Sequence, residues 1–205
     1  MFLDNQQELR LQTAESLLIK LQAKTILDLG CGKGDLIARL HSNPQFKKLV
    51  GVDTSGQVLA IAKEILNHPF NSSHISLVHS CLTDLNQEYA HFDAAVLLEI
   101  IEHIHPNQLS PIETAVFQNL KPMHIIMTTP NKDYNPIHGL TDKQMRHHDH
   151  KFEWGRLKFR KWAEGIARRN HYNVTFEDVG YSHFNLGSST QLALFSNLNS
   201  HTSTI

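Results

Sequence analysis

Two carboxylates and an imidazole are closely spaced in the segment Glu99-Ile100-Ile101-Glu102-His103, which follows a strand-like apolar run. Positions i, i+3 and i+4 of a helix lie on one face, so a single helical turn would bring Glu99, Glu102 and His103 together. Carboxylate oxygens and imidazole nitrogens are common ligands of divalent cations. The spacing therefore predicts a metal-binding turn, and ordinary surface helix residues are the alternative.

A second histidine-rich segment lies downstream and could supply a fourth ligand to that turn. It reads Arg146-His147-His148-Asp149-His150-Lys151-Phe152-Glu153-Trp154. We interpret Phe152 and Trp154 as core or loop-anchoring aromatic residues, with base stacking as the less favoured alternative.

Upstream of both segments, the run Asp28-Leu29-Gly30-Cys31-Gly32-Lys33-Gly34 lies between a strand-like and a helical pattern. Glycines there permit positive φ and a close approach of the backbone to a ligand. The GxGxG spacing differs from the GxGxxG of dinucleotide-binding proteins, so no pyrophosphate site is predicted. Asp53 ends the next strand, where a carboxylate can accept hydrogen bonds from both hydroxyls of a ribose. A glycine turn of structural use only is the alternative.

The elements that must position these residues alternate between strands and helices along the chain. The patterns predict helices over 6–22, 35–42, 56–67 and 155–170, and strands over 25–29, 49–53, 75–78, 92–98, 125–129, 173–176 and 191–195. Such alternation is typical of βαβ units. We therefore predict a doubly wound, Rossmann-like α/β fold whose sheet of about seven strands is mostly parallel, with helices on both faces. Residues 131–153 are predicted to be an irregular loop, and a loop of that length is usually functional or disordered.

Length and composition predict one domain. The chain has 205 residues, 40% of them hydrophobic, so we expect a domain over 1–196 that begins with a helix, and a flexible tail over 197–205. The only two cysteines have no CxxC spacing, which argues against a disulfide framework or a structural zinc site and fits a reducing compartment. Neither a signal peptide nor an apolar run of membrane-spanning length is visible, so a cytoplasmic protein without membrane association is expected.

The formal net charge is −1, so any affinity for nucleic acid must come from a local basic patch. The candidate patch lies within the predicted helix 155–170, and a solvated helix face is its alternative. It consists of Arg156, Lys158, Arg160, Lys161, Arg168 and Arg169.

The glycine loop together with Asp53 resembles motif I and the acidic residue of class I S-adenosylmethionine-dependent methyltransferases. The resemblance implies S-adenosylmethionine as cofactor, with adenine between residues that follow the third strand and with the end of the fourth strand beside the cofactor. The implied cofactor-binding residues are Asp28, Gly30, Cys31, Gly32, Gly34, Asp53, Ser80, Cys81, Leu82 and Leu98.

Three further blocks, residues 96–104, 128–135 and 146–154, together resemble the 3′-terminal small-RNA ribose 2′-O-methyltransferases of the Hua-enhancer type. The metal site implied by this resemblance consists of Glu99, Glu102, His103 and His150. The implied RNA contacts are Thr129, Asn131 and Arg146, where a loop salt bridge is the alternative for Arg146. His147 and His148 are then either directed toward RNA or merely solvated.

The resemblance implies methyl transfer to the 2′-hydroxyl of the terminal nucleotide, with both vicinal hydroxyls bound to the metal. A bound cation lowers the pKa of a coordinated oxygen, and we predict that the neighbouring imidazole of His103 is the base that accepts its proton. Two carboxylates and two imidazoles suit Mn²⁺, Fe²⁺ or Co²⁺ better than Mg²⁺, although magnesium is abundant. The implied partners are a small RNA with a free 2′,3′-diol end, either a silencing RNA or a repaired transfer RNA, and an RNA-presenting or RNA-repair protein. A methyltransferase of small molecules and a non-catalytic RNA 3′-end-binding module are the alternatives.

Overall fold

A computed structural model describes residues 2–67 and 74–198 of the chain. Its seven strands, numbered in chain order as given next, form one mixed sheet with the order β3-β2-β1-β4-β5-β7-β6. The strands are β1 (Thr25–Leu29), β2 (Lys48–Asp53), β3 (Ile75–His79), β4 (Ala94–Leu98), β5 (His124–Pro130), β6 (Tyr172–His183) and β7 (Gly187–Asn197). The helices are α1 (Phe2–Lys20), α2 (Asp35–Leu40), α3 (Gly56–Asn67), α4 (Leu109–Glu113, continued as a π-helix over Thr114–Leu120) and α5 (Arg156–Asn170). Strands β1 to β5 are parallel, and β7 is antiparallel to both β5 and β6.

This architecture confirms the predicted fold class, with differences at particular boundaries. Strands β6 and β7 are several residues longer than predicted, and Pro130 belongs to β5, since it is the last residue of that strand. The predicted irregular loop contains a 3₁₀ helix over Lys132–His138. Asn197 is paired with Tyr172 in the sheet and is not part of a tail. Residues 199–205 of the predicted tail lie outside the described residues.

Helix α4 was not predicted, because the sequence that forms it contains or follows two prolines, which usually argue against a helix. Pro106 lies in a 3₁₀ turn before the helix, and Pro111 is the third residue of α4. Proline is tolerated in a first helical turn because the amide groups there have no intrahelical acceptor. The helix buries an apolar face that includes Leu109 and Val116.

The central strands are buried on both faces, as expected for parallel strands covered by helices on each side. In β1, Leu27 and Leu29 contact the core that includes α4 and α5, whereas Ile26 contacts the core that includes α1, α2 and α3. Alternate residues of this one strand therefore pack against the helices on both faces of the sheet, and the strand ends that carry the loops are supported from both sides.

Substitution of Gly51 by alanine is expected to destabilise the fold. A Cβ atom at this position in β2 would lie 2.6 Å from Cδ1 of Ile37 and 2.8 Å from Sγ of Cys31, both in the packed core. Overpacking of this kind typically costs about 1–3 kcal/mol. Urea unfolding should show this loss, whereas Gly165→Ala within α5, which would meet mainly the flexible end of Arg169, should keep or raise stability. Equal stability of the two variants would contradict the packing argument.

The carboxyl ends of β1 to β5 meet at one edge of the sheet, where α/β proteins bind their ligands. The glycine loop follows β1, Asp53 ends β2, and the turn that contains Glu102 follows β4. In the described part of the chain, no helix is long and apolar enough to cross a membrane.

Candidate active site

The glycine loop between β1 and α2 turns sharply because three glycines adopt left-handed backbone conformations. The φ angles of Gly30, Gly32 and Gly34 are 84°, 54° and 80°. The amides of Gly30 and Cys31 both donate to the carbonyl oxygen of Val52, at 2.8 and 3.0 Å. The loop is thereby fixed to the end of β2.

Asp53 holds the glycine loop in place. Its Oδ2 accepts a hydrogen bond from the amide of Gly32 at 3.0 Å, and its Oδ1 accepts one from the amide of Ser55 at 2.8 Å. Carboxylate oxygens have further lone pairs, so both remain able to accept from ribose hydroxyls. That role of Asp53 stays a prediction.

Two neighbouring cavities lie on either side of Gly30. The larger, of about 520 Å³, is lined by Gly30, Val52, Asp53, Thr54, Ser80, Cys81, Leu82, Thr83, Ile100, His103, Ile104, Gln108, Pro111 and Ile112. The smaller, of about 180 Å³, is lined by Gln7, Arg10, Leu11, Asp28, Gly30, Cys31, Gly32, Lys33, Asp35, Leu36, Leu98 and Glu99. Nine of the ten residues predicted to bind the cofactor line one cavity or both.

Gly34 is the exception, since it lines neither cavity, and its cofactor contact stays a prediction. A Cβ atom there would lie 3.3 Å from Leu66 and 3.5 Å from Ala62, both in α3. Gly34 therefore serves the left-handed start of α2 and its close packing on α3.

Asp28 is a buried carboxyl at the wall of the smaller cavity. Burial, with the nearby charges of Asp53 and Asp35, raises the pKa of Asp28 to about 7. A carboxyl that is partly protonated near neutral pH can donate a hydrogen bond as well as accept one. Asp28 can therefore form hydrogen bonds with a polar group of a ligand, and Arg10 in the lining of the same cavity offers a cation.

The predicted metal-binding turn is not an α-helix. Glu99 follows β4 with φ 55°, and a single 3₁₀ turn then spans Ile101–His103. The left-handed residue breaks the chain direction, so Glu99 lies outside the turn that carries Glu102 and His103. The prediction of one continuous helical turn is therefore wrong, although the segment still brings carboxylates and imidazole to one place.

Glu102, His103 and His150 converge, with one candidate ligand atom from each lying within 4.8 Å of the others. Glu102 has no exposed surface, its Oε2 accepts from the hydroxyl of Thr129 at 3.0 Å, and its Oε1 has no hydrogen-bond partner among the described residues. The carbonyl of Glu102 accepts from the amide of Lys151 at 2.7 Å, which fixes the His150 loop against the turn.

Glu99, the fourth predicted ligand, is close by but does not belong to this three-residue cluster. Its Oε2 lies 3.4 Å from Nη1 of Arg10 in α1, and its Oε1 is buried without a hydrogen-bond partner. Burial raises the pKa of Glu99 and of Glu102, and their mutual repulsion raises that of Glu102 further. Buried carboxylate oxygens without donors are unfavourable unless a cation is bound, so these residues fit a divalent metal ion.

His150 is oriented by a carboxylate behind it. Its Nδ1 lies 2.6 Å from Oε1 of Glu153, so this nitrogen carries the proton and Nε2 is left as the ligand atom. Although burial alone would raise the pKa of Glu153, hydrogen bonds from His150, Asn135 and the amide of Arg146 hold it below its usual value. An ionised carboxylate behind a histidine is a frequent arrangement at metal sites.

His103 connects the cluster of Glu102, His103 and His150 to the larger cavity. It lines that cavity, and the centre of its ring lies 4.9 Å from that of His150. Burial lowers the pKa of His103, and the neighbouring His150 and His147 lower it further. A neutral imidazole is thereby favoured, which is the form that binds a metal or accepts a proton.

Removal of the carboxylate behind His150 is expected to weaken metal binding without dismantling the fold. Glu153→Gln keeps the shape and one acceptor oxygen but loses the charge that fixes the histidine tautomer. Loss of such a partner typically costs about 10–100-fold in metal affinity. Calorimetric titration with Mn²⁺ should show this loss, whereas Glu164→Gln on the exposed face of α5 should bind like the wild type. Unchanged affinity in Glu153→Gln would contradict the assigned role.

The three residues predicted to contact RNA serve internal contacts in this structure. Thr129 and Asn131 have no exposed surface, so the predicted RNA contact of their side chains is wrong. Thr129 donates to Glu102, and Asn131 donates to backbone carbonyls of the β6–β7 hairpin. The guanidinium of Arg146 donates to Asn135, to both Ser189 oxygens and to the carbonyl of Asn131. Arg146 therefore anchors the loop. The predicted alternative to RNA contact was a salt bridge within the loop, but the hydrogen bonds of the guanidinium go to neutral acceptors.

Several residues of the site were missed by sequence reasoning. Glu153 could have been found from the His-x-x-Glu spacing after His150, because an outer carboxylate is common near a ligating histidine. Asn135 and Arg10 carry no such signal, since their partners Glu153 and Glu99 are distant in sequence.

Comparison with known proteins shows what the chain as a whole is similar to. A family model described as a methyltransferase domain matches residues 26–123. Small RNA 2′-O-methyltransferase of Mus musculus is 30% identical over 198 residues, which cover 91% of this chain and 49% of that protein. The chain thus spans about half the length of this curated relative.

Solved structures show the same similarity. The methyltransferase domain of bacterial CtHen1-CN is 34% identical, with a TM-score of 0.84, over 93% of this chain and 99% of that one. The small RNA methyltransferase HEN1 is 30% identical, with a TM-score of 0.87, over 97% of this chain and 27% of that one. The match to the bacterial domain covers essentially all of both chains.

Proposed function

The chain belongs to the small RNA 2′-O-methyltransferase family, and on that premise we propose that it methylates the 2′-hydroxyl of the 3′-terminal nucleotide of an RNA. The observation that carries the proposal is the position of His103, which belongs to the metal cluster and also lines the larger cavity. An acceptor oxygen held at the cluster would therefore face a methyl donor held in the cavities.

The methyl donor that we propose is S-adenosylmethionine, which supplies a methyl group on a positively charged sulfur. The larger cavity would hold adenosine, with Asp53 accepting from ribose hydroxyls and Ser80 to Leu82 beside adenine. The smaller cavity would hold the methionine part, where Asp28 and Arg10 offer complementary groups for its amine and carboxylate. The chain's task is to bind both ends so that the methyl group faces the acceptor.

The metal site that we propose consists of Glu102, His103 and His150, with Glu99 as a fourth candidate. A divalent cation held there would lower the pKa of a hydroxyl that it binds. Mn²⁺, Fe²⁺ and Co²⁺ suit the mixed oxygen and nitrogen donors, and Mg²⁺ is an alternative. Glu153 and Thr129 orient His150 and Glu102, so the donor atoms are arranged before the substrate arrives.

The reaction then requires a proton acceptor and alignment. A neutral imidazole has one free lone pair, so His103 serves either as a metal ligand or as the acceptor for the proton of the 2′-hydroxyl. We propose the second role for a metal ion held by Glu99, Glu102 and His150, because His103 is favoured in the neutral form and faces the cavity. Alignment of the attacking oxygen with the methyl carbon and sulfur can contribute roughly 7–11 kcal/mol to catalysis. The hydrogen bond between Glu153 and His150 fixes one side of this arrangement.

The proposed substrate is an RNA with a free 2′,3′-diol, because only a 3′-terminal nucleotide presents both hydroxyls to one cation. Whether this RNA serves silencing or repair, and whether another protein presents it, stay predictions, as does the cytoplasmic location.

The proposal is tested with purified, metal-stripped protein and labelled S-adenosylmethionine. Matched RNAs should end in a 2′,3′-diol, a 2′-deoxy, a 3′-deoxy or a 3′-phosphate nucleotide, with Mn²⁺ or Mg²⁺ added back separately. We expect metal-dependent labelling of the diol RNA alone. Labelling of a small molecule without RNA would favour the alternative methyltransferase, and tight cofactor binding with no labelled RNA would favour a binding module.

A further inference from the structure

Three large apolar side chains near the end of the β6–β7 hairpin have no role in the proposed chemistry. Leu157, Tyr181 and Phe184 are 83%, 75% and 97% exposed, and we call these residues the hairpin surface. Apolar side chains that are exposed in a group often mark a binding site. Two of the three are aromatic rings whose faces are available to a ligand.

The hairpin is bound directly to the loops of the candidate metal site. The side-chain amide of Asn131 donates to the carbonyls of Leu186 at 2.7 Å and Ser188 at 2.8 Å. Nη1 of Arg146 donates to the carbonyl of Ser189 at 2.7 Å. The hairpin end therefore has a fixed position relative to the loop that carries His150.

Strand β6 of the hairpin also packs on α1, which lines the smaller cavity. Gly180 has φ 80°, and a Cβ atom there would lie 2.8 Å from Cδ1 of Leu9. The next residue of α1, Arg10, forms the ion pair with Glu99. The hairpin thus contacts both the loops of the candidate metal site and helix α1 beside the smaller cavity.

A basic helix begins beside the same hairpin. Nη2 of Arg156 donates to the carbonyl of Asn185 at 2.6 Å, which places the start of α5 against the hairpin end. Helix α5 contains six basic residues and one acidic residue. Lys158, which is exposed, has its ammonium group 5.0 Å from the ring centre of Trp154. Lys161 is also exposed, so cations continue along the helix from the hairpin surface.

We propose that this surface binds the RNA strand immediately upstream of its 3′-terminal nucleotide. Bases stack on Tyr181 and Phe184, and phosphates contact Lys158 and Lys161. The inference rests on the proposed function, because it places the terminal ribose at the metal cluster. Exposed aromatic rings beside cations are the usual elements of single-strand binding, whereas lysine is depleted in protein–protein interfaces.

The test measures binding separately from methyl transfer. Fluorescence anisotropy should follow a labelled single-stranded RNA with a 2′,3′-diol end, in the presence of Mn²⁺ and S-adenosylhomocysteine. Tyr181→Ala and Phe184→Ala should each weaken binding about 5- to 150-fold, the effect of losing one stacked base. The double variant Lys158→Gln/Lys161→Gln should reduce the salt dependence of log Kd by about 0.7 for each lost phosphate contact.

Matched controls lie elsewhere on the surface. Lys63→Gln removes an exposed cation on α3, which covers the other face of the sheet from α5. Met123→Ala truncates an exposed apolar side chain just before β5, at the opposite edge of the sheet. Both should bind RNA like the wild type, and every variant should retain wild-type affinity for S-adenosylhomocysteine. If the hairpin and lysine variants bind RNA with wild-type affinity while the wild type still methylates diol RNA, the proposed RNA-binding surface is wrong and the proposed function stands. A wild type that neither binds nor methylates RNA would overturn the proposed function and the surface with it.

Discussion

Glu102→Gln is expected to abolish metal-dependent methyl transfer while leaving the protein folded. Glutamine has the size of glutamate, and its one oxygen can still accept the hydrogen bond from Thr129. The substitution removes the negative charge and puts an uncharged NH₂ group in place of the carboxylate oxygen that has no hydrogen-bond partner in the described part of the chain. Loss of a group that merely orients a ligand costs about 10–100-fold in metal affinity, so loss of a charged ligand should reduce activity about 100-fold or more.

The same substitution should leave a second signature in the metal-free protein. Burial and the charge of Glu99 raise the pKa of Glu102, so its ionised form is unfavourable in the folded state without a cation. A neutral glutamine removes that repulsion, and the melting temperature of the metal-free variant should equal or exceed that of the wild type. Thermal melts with and without Mn²⁺ check this: the wild type should be stabilised by the metal, and Glu102→Gln should not.

Glu88→Gln provides the control, because Glu88 is an exposed glutamate distant in sequence from the cluster. It should keep both the activity and the stabilisation by Mn²⁺. Retention of metal-dependent activity by Glu102→Gln would contradict the assignment of this carboxylate as a ligand.

Gly30→Ala is expected to impair the cofactor site and the metal turn together. Gly30 has φ 84°, and an added Cβ atom would lie 2.2 Å from Cδ1 of Ile100, the residue that precedes the 3₁₀ turn of Glu102 and His103. The left-handed conformation costs an alanine roughly 1–2 kcal/mol, and the clash requires the side chain of Ile100 to shift, which we expect to displace the turn that follows it. Misplacement of about 1 Å can reduce catalysis roughly 100-fold. Titrations with S-adenosylhomocysteine and with Mn²⁺ should both show weaker binding.

Gly32→Ala separates backbone strain from the clash. Gly32 also has a left-handed conformation, with φ 54°, but no atom lies within 4 Å of its added Cβ. This variant should bear only the strain and lose about tenfold in cofactor affinity, which corresponds to about 1.4 kcal/mol, with metal affinity unchanged. Equal effects of the two substitutions on Mn²⁺ binding would show that Gly30 does not couple the two sites.

Much of the fold and the order of the functional segments could be predicted from the sequence, because these depend on local patterns. Strand-like apolar runs such as Thr25–Leu29 and Lys48–Asp53 alternate with helical periodicity, and that alternation dictates a parallel sheet covered by helices. The glycines after β1 indicate a tight turn because few other residues adopt its backbone angles. Asp53 could also be placed at this edge of the sheet, because it is the last residue of a predicted strand.

The tertiary structure alone decided how the site is assembled. Glu99 was expected on one helical face with Glu102, yet its positive φ turns it toward Arg10, which lies 89 positions away in the sequence. Thr129 and Asn131 were expected at an RNA surface, but β7 and the turn after β4 bury them. Spacing reports only which side chains share a local element, whereas burial and pairing depend on chain segments that meet after folding. The candidate ligand residues could therefore be named from the sequence, whereas their geometry and hydrogen-bond partners were fixed by long-range packing.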